Sequence, residues 1–266
     1  MKQWKNTIAL NKNNRGCYIL DTIKGCSACS KEKPNGCYGN CYAKNISSRY
    51  NFDFSNIVKR DFYKDKQQLY LFDYFDTKHV NKIIKKLKKI DMPFVRIGEM
   101  GDPSENWNHT INVCKMISVA KKSIVIITKH LNTIPNSLLT DIKKLDICIN
   151  TSISALDTES EINHRLKLFS RLKKYCNSVL RIVSCDFNKS NIEGLKKYKI
   201  QEKLFKNDKV IDTIFRPNLN NNYVTSKMIN VDKIMFLKKE VYASIYNTNT
   251  HFGYCSKCHD MCGINL

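Results

Sequence analysis

Residues 94–129 read "FVRIGEMGDPSENWNHTINVCKMISVAKKSIVIITK". A β-branched apolar run (94–98) gives way to a polar loop, then to a helical stretch (107–121), then to a second apolar run (124–128). Short runs rich in Ile and Val, without polar alternation, suit strands buried on both faces of a parallel sheet. The reading of the whole chain depends on whether this strand–helix–strand unit repeats on either side.

It does. Further strands are predicted at 147–151 (ICINT), 179–184 (VLRIVS) and 210–215 (VIDTIF), and one ahead of the unit at 17–21 (CYILD). Helices are predicted at 54–72, 79–90, 136–144, 161–175, 190–204 and 229–243. Val80, Ile83, Ile84, Leu87 and Ile90 share one helical face, as do Ile162, Leu166, Phe169 and Leu172. Roughly six β–α units in succession predict an α/β sheet or barrel. No long linker, repeat or low-complexity block interrupts them, so one domain is expected over 1–245, with a cysteine-rich C-terminal extension over 246–266.

The chain has 266 residues, 42% of them hydrophobic, enough for one large core. Its net charge of +21 raises the possibility of a nucleic-acid partner, but only eight of the 45 basic residues are arginine. Arginine is the side chain that planar phosphate and base recognition prefers. The lysines fall in pairs along amphipathic stretches (81–90, 171–175, 195–206), which read as solvated helix faces. No secretory leader and no membrane-spanning run is present in the sequence. The expectation is a soluble, cytoplasmic protein with no membrane partner, whose clustered cysteines serve metal or redox chemistry rather than disulfides.

In an α/β fold of this kind the site gathers at the carboxyl ends of the strands. The first and longest loop (22–48) carries "CSACSKEKPNGCYGNCYA" (26–43), with Cys26, Cys29, Cys37 and Cys41. After the second strand come Gly98, Glu99 and Asp102, then Thr128 and Lys129, Ser152 and Ser154, and Ser184 and Asp186 at later strand ends. Each has a purely structural alternative: Asp102, Ser104 and Thr151 as helix caps, Gly98 and Gly101 as turn residues. A second cysteine group, "CSKCHDMC", holds Cys255, Cys258 and Cys262. Cys114, Cys148, Cys176 and Cys185 read as inert, and Cys17, at the start of the first strand, as an outside candidate.

The C-x2-C pairs Cys26/Cys29 and Cys255/Cys258 would make a four-thiolate zinc site. That leaves Cys37, Cys41 and Cys262 unused. Seven clustered thiols also match two [4Fe–4S] clusters, one open with three ligands and one closed with four, and this reading is favoured over zinc.

Gly98 and Glu99 at the end of the second strand, and "NTSISALDTESEINHRLKLFSRL" (150–172), resemble the radical S-adenosylmethionine superfamily. "GNCYAK" (39–44), "FVRIGEMGD" (94–102) and "IITK" (126–129) resemble, more closely, a poorly characterised family of phage and bacterial proteins with a Cys-Tyr-Ala motif. The resemblance implies a partial (β/α)6 TIM-type barrel, a [4Fe–4S] cluster on the first loop and S-adenosylmethionine as cofactor. It also implies an external one-electron reductant and a still unidentified substrate. Glu99 or Asp102 would hold the cofactor's amino group, Ser152 its ribose or carboxylate, and Arg181 or Arg216 its carboxylate. Lys44 stands where the superfamily places a third cysteine after Cys37 and Cys41, so Cys26 or Cys29 would complete the open cluster. The other would join Cys255, Cys258 and Cys262. Two alternatives stand beside this reading: a zinc- or cluster-stabilised nucleic-acid-binding protein, and an iron–sulfur enzyme that does not use S-adenosylmethionine.

Overall fold

The apolar runs form strands because their side chains have somewhere to go on both sides. In the computed structural model, which describes residues 6–29, 35–62 and 77–266, a seven-stranded sheet occupies the centre. It is built from β1 (Asn11–Lys12), β2 (Tyr18–Ile19), β5 (Phe94–Ile97), β6 (Ser123–Thr128), β7 (Ile147–Ile153), β8 (Asn177–Ser184) and β10 (Val210–Ile214), side by side in that order. Every neighbouring pair is parallel except β1 with β2, an antiparallel edge. The strands follow one another across the sheet in chain order, with none of the reversal that marks a doubly wound sheet.

The parallel register sorts side chains onto two faces. Val95, Ile97, Ile124, Ile126, Ile147 and Ile149 meet helices α2 (Thr77–Lys88), α3 (Trp107–Ile117) and α4 (Leu139–Lys143) in the largest core cluster. Ile153, Leu180 and Ile182 meet α5 (Glu159–Leu172) and α6 (Ile192–Phe205). α5 starts where the sequence dictates: Thr158 and Glu161 form a capping box, each side chain bonding the other's backbone N–H. On the opposite face Phe94, Val125, Cys148, Val179 and Ile211 are covered by Cys255, Cys262 and Ile264 of the C-terminal segment. We call these the helix face and the tail face. Among the described residues, no helix is long and apolar enough to cross a membrane.

One predicted helix, and the described part of a second, are replaced by strands. Over 229–243 the chain forms β11 (Ile229–Asn230) and a hairpin of β12 (Asp232–Phe236) and β13 (Lys239–Ala243). The two residues between β12 and β13, Leu237 and Lys238, both have positive φ (46° and 67°). That is the backbone of a tight hairpin turn, normally signalled by Asn-Gly, and here its residues give no such signal. β11 pairs with β9 (Asp186–Phe187). Of the helix predicted at 54–72, residues 54–62 instead contain β4 (Val58–Lys59), paired antiparallel with β3 (Ile23–Lys24). Residues 63–72 lie outside the described residues. Tertiary contact decides here, because Phe54 is buried against Cys29 and Ala43 rather than on a helical stripe. Two short helices complete the chain: α1 (Tyr42–Ser48) and α7 (Asn222–Thr225).

Candidate functional site

The loop after β3 folds its cysteines inward. Gly25 N–H donates to the Met100 carbonyl (3.2 Å) and Cys26 N–H to the Phe54 carbonyl (2.8 Å), and Cys29 N–H closes a turn on Cys26 (3.1 Å). Cys41 N–H donates to the Asn35 carbonyl (3.0 Å), placing Cys41 just ahead of α1. Cys26, Cys29 and Cys41 pack in one apolar cluster with Ala43, Phe52, Phe54 and Met100. Cys37 stands close enough to interact electrostatically with Cys26, Cys29 and Cys41. Burial raises the pKa of all four thiols. Thiols so placed stay protonated unless a cation compensates the thiolate charge.

Four soft sulfur donors in one neighbourhood match the donor set of an iron–sulfur cluster. Gly36 leaves the room they need: a Cβ there would lie 2.6 Å from Cys41 Cβ. Among the described residues, no three Cys, His, Asp or Glu side chains are already drawn together around a single ion position.

Around this loop the strand ends are locked by carboxylates. Asp21, just past β2, accepts the successive N–H groups of Gly98, Glu99 and Met100 (3.1, 2.8 and 3.0 Å). Gly98 has φ +101°, and a Cβ there would lie 2.3 Å from the Ile127 carbonyl oxygen, so only glycine fits that turn. Glu99 accepts from Asn13 Nδ2 (3.1 Å) and pairs with Arg96 (3.4 Å). Asp102 is a cap in full. It accepts from Ser104 N–H (2.9 Å), Ser104 Oγ (2.7 Å), Thr128 Oγ1 (2.6 Å) and Lys129 N–H (2.8 Å), tying the ends of β5 and β6 together. Ser152 and Arg181 lie opposite one another in the β7–β8 register, on the tail face. Asp186 accepts from Asn230 Nδ2 (2.9 Å) and so serves the β9–β11 pair.

One group at this end was not singled out from the sequence. Asp157 is buried and takes Arg165 at 2.5 Å, Lys129 at 3.6 Å, the Tyr38 hydroxyl at 2.9 Å and Ser154 N–H at 2.7 Å. Burial works to raise its pKa, but Lys129 and Arg165 outweigh it and hold the carboxyl below its ordinary value. Burial, with Asp157 beside it, holds the Tyr38 phenol well above its ordinary range. Beside this group lies a cavity of about 490 Å³, lined by Cys37, Tyr38, Asp157, Glu161, Arg165 and Tyr223 among others. That is the size of a small-molecule site. The spacing Asp157, Glu161, Arg165 (i, i+4, i+8) around the start of α5 was the available signal in the sequence.

Cys255, Cys258 and Cys262 lie elsewhere, in the tail face, where Cys255 and Cys262 share an apolar cluster with Cys17 and not with Cys26 or Cys29. The thiols of Cys17 and Cys255 face one another. The Cys255 thiol is held below its ordinary pKa, first by its interaction with Cys17 and then by Arg15, Arg96 and Arg181. Cys17, whose thiol donates to the Tyr18 carbonyl (3.6 Å), is raised, first by its interaction with Cys255 and then by burial. Cys114, Cys148 and Cys185 are buried and Cys176 is half-buried beside a helix end. No protein-family model matches this chain, and no curated protein matches it.

Proposed function

We propose that the chain is an iron–sulfur enzyme whose loop thiols carry a [4Fe–4S] cluster at the mouth of a partial (β/α)6 TIM-type barrel, and that it performs radical S-adenosylmethionine chemistry. The observation that carries this is the gathering of Cys26, Cys29, Cys37 and Cys41 beside a ligand-sized cavity at the carboxyl ends of parallel strands. The chain-order sheet with its helices on one face supports the barrel. When bound, the cluster supplies one electron and S-adenosylmethionine the radical that takes a hydrogen atom from the substrate.

The chain's own residues bind and position. Three of the four loop thiols would hold the cluster, and Cys37, which lines the cavity, would be one of them. Asp21 fixes the backbone of Gly98 and Glu99, while Asn13 and Arg96 fix the Glu99 carboxylate, which suits it to an ammonium group. Arg165 lines the cavity beside Asp157 and Glu161, its ion-pair partners, and this charged network would hydrogen-bond the polar groups of a ligand. Leu156, Tyr38 and Tyr223 shed water from the cavity.

A second reading rests on α2 and the turn that follows it, where Lys78, Lys82, Lys85, Lys86 and Lys89 line one groove and would take a polyanion such as nucleic acid.

The test is anaerobic purification of the full chain with iron, sulfide and zinc quantified, followed by EPR of the dithionite-reduced protein with and without S-adenosylmethionine. We expect iron with sulfide, and a reduced signal that shifts when the cofactor is added. Iron whose signal ignores the cofactor would leave a cluster enzyme of another kind. Absence of iron, with salt-sensitive nucleic-acid binding that survives Cys37→Ala, would move the function to the lysines.

A further inference from the structure

The tail face holds a crevice whose walls do not balance in charge. Arg15, Arg96, Arg181 and Arg216 all line it, together with Cys255, Cys258 and Cys262. Two carboxylates, Asp212 and Asp260, line it as well, and among the described residues the ion pair made by these arginines is that of Arg96 with Glu99 at 3.4 Å. Arg181 and Arg216 make no ion pair among the described residues, and Asp212, which also lines the crevice, bonds Thr250 instead. Several guanidiniums crowded in a low-dielectric crevice call for an anion between them.

The cysteines are held as if for that purpose. Cys255 N–H donates to the Arg15 carbonyl (2.7 Å), which ties the C-terminal segment to the stretch that carries Cys17. Asn150 Nδ2 donates to the Cys262 carbonyl (2.9 Å) and Asn177 Nδ2 to the Gly263 carbonyl (2.8 Å), so two neighbouring strands grip the same turn. Cys262 itself sits at φ +57°, a strained conformation for a non-glycine residue that the surrounding bonds enforce. Gly263 follows at φ +92°, where a Cβ would lie 2.6 Å from Val179 Cγ2. The chain thus accepts backbone strain in order to aim the Cys262 side chain into the crevice.

We propose that Cys17, Cys255, Cys258 and Cys262, which the structure does not yet draw around one ion position, close on a metal to make a four-thiolate centre in the tail face, separate from the loop cysteines, with the arginines as its counter-charge. Four thiolates around a divalent ion or a [4Fe–4S] core leave a net charge of about −2, which would offset the excess of guanidiniums over the carboxylates of Asp212 and Asp260 in the crevice. With all four ligands from the protein no position is open to substrate, so this centre fastens the C-terminal segment and can relay an electron, but does not bind a reactant. The fourth ligand comes from β2's own approach, not from the loop, and the loop keeps all four of its cysteines. This inference does not depend on what the loop binds.

The experiment compares the full chain with its Cys17→Ser, Cys258→Ser and Cys37→Ser variants, purified anaerobically, with iron, sulfide and zinc measured per chain. We expect Cys17→Ser and Cys258→Ser to lose the same metal, and Cys37→Ser to keep it. Iron with sulfide in that fraction identifies a cluster and zinc a mononuclear site; either supports the four-thiolate centre. A Cys17→Ser protein that keeps the metal lost by Cys258→Ser overturns it, as does a wild-type chain with no metal sensitive to either change. If the variants do not fold, alkylation of the wild-type chain decides. Cys258, half-buried in the structure, should resist labelling until a chelator is added, and labelling indifferent to chelator overturns the proposal. Failure of the loop reading looks different: Cys37→Ser would then change no metal at all, while Cys17→Ser still would.

Discussion

The Asp21 carboxylate accepts the backbone N–H of Glu99 at 2.8 Å, and with it the N–H groups on either side. One buried side chain on the first parallel strand's exit therefore sets the conformation of the loop that leaves the second. Asp21→Ala orphans three donors and should cost about 2–4 kcal/mol. Urea denaturation measures the loss, and hydrogen exchange should show the amides of Gly98, Glu99 and Met100 losing protection before the rest of the sheet. Unchanged exchange there would mean the loop holds itself.

Arg165 and Asp157 are both buried and joined at 2.5 Å, with Lys129 as a weaker second partner. Removing one member strands the other's charge, so Arg165→Met should destabilise by about 3 kcal/mol. The double variant Arg165→Met, Asp157→Asn should cost less than the two single changes together, because the stranded charge is gone. A double-mutant cycle in urea reads the coupling directly.

His130 carries a pH dependence. Burial, aided by His164 and Arg165, holds its imidazole down to about 3, from an ordinary 6.5. Its Nε2 meets Thr151 Oγ1 at 2.9 Å and its ring lies against Trp107. Between those two pKa values the unfolded chain takes up a proton that the folded chain refuses. Stability from this group is therefore full above about pH 6.5 and falls as pH drops towards 3, by up to about 1.4 kcal/mol per pH unit. His130→Asn, a residue that tolerates the φ of +51° found here, should flatten that slope. Denaturation curves at a series of pH values between the two pKa values test this, and an unchanged slope would locate the sensitivity elsewhere.

The hairpin of β12 and β13 turns through Leu237 and Lys238, two side-chain-bearing residues in a region of φ that disfavours them. Replacing the pair by Asn-Gly should raise stability by about 1 kcal/mol. A fall in melting temperature would show that the two side chains hold contacts worth more than the relaxed turn.

That same turn explains where the sequence misleads. β5 to β8 and β10 were legible because burial on both faces demands unbroken Ile and Val, a pattern that needs no knowledge of neighbours. The hairpin was not, because its turn lacks Gly and Asn and its apolar residues also fit a helical stripe. Around the first loop, the four cysteines and Glu99 stand out by type and spacing, and Asp102 makes the capping bonds that its sequence context allows. Asp157 and Tyr38 meet only when the first loop folds over the start of α5. Cys17 was legible only as a lone thiol on a strand, since its partner Cys255 comes from the far end of the chain.

That meeting of distant segments has a consequence for how the protein is made. Translation delivers β2 through β10 well before residues 255–263, so a nascent chain completes its sheet while one side is still bare. Phe94, Val125, Val179 and Ile211 then face water or a chaperone until the ribosome releases the segment that covers them. A message cut short before residue 255 would yield a chain with a full set of strands and a permanently sticky flank, fit for proteolysis rather than use.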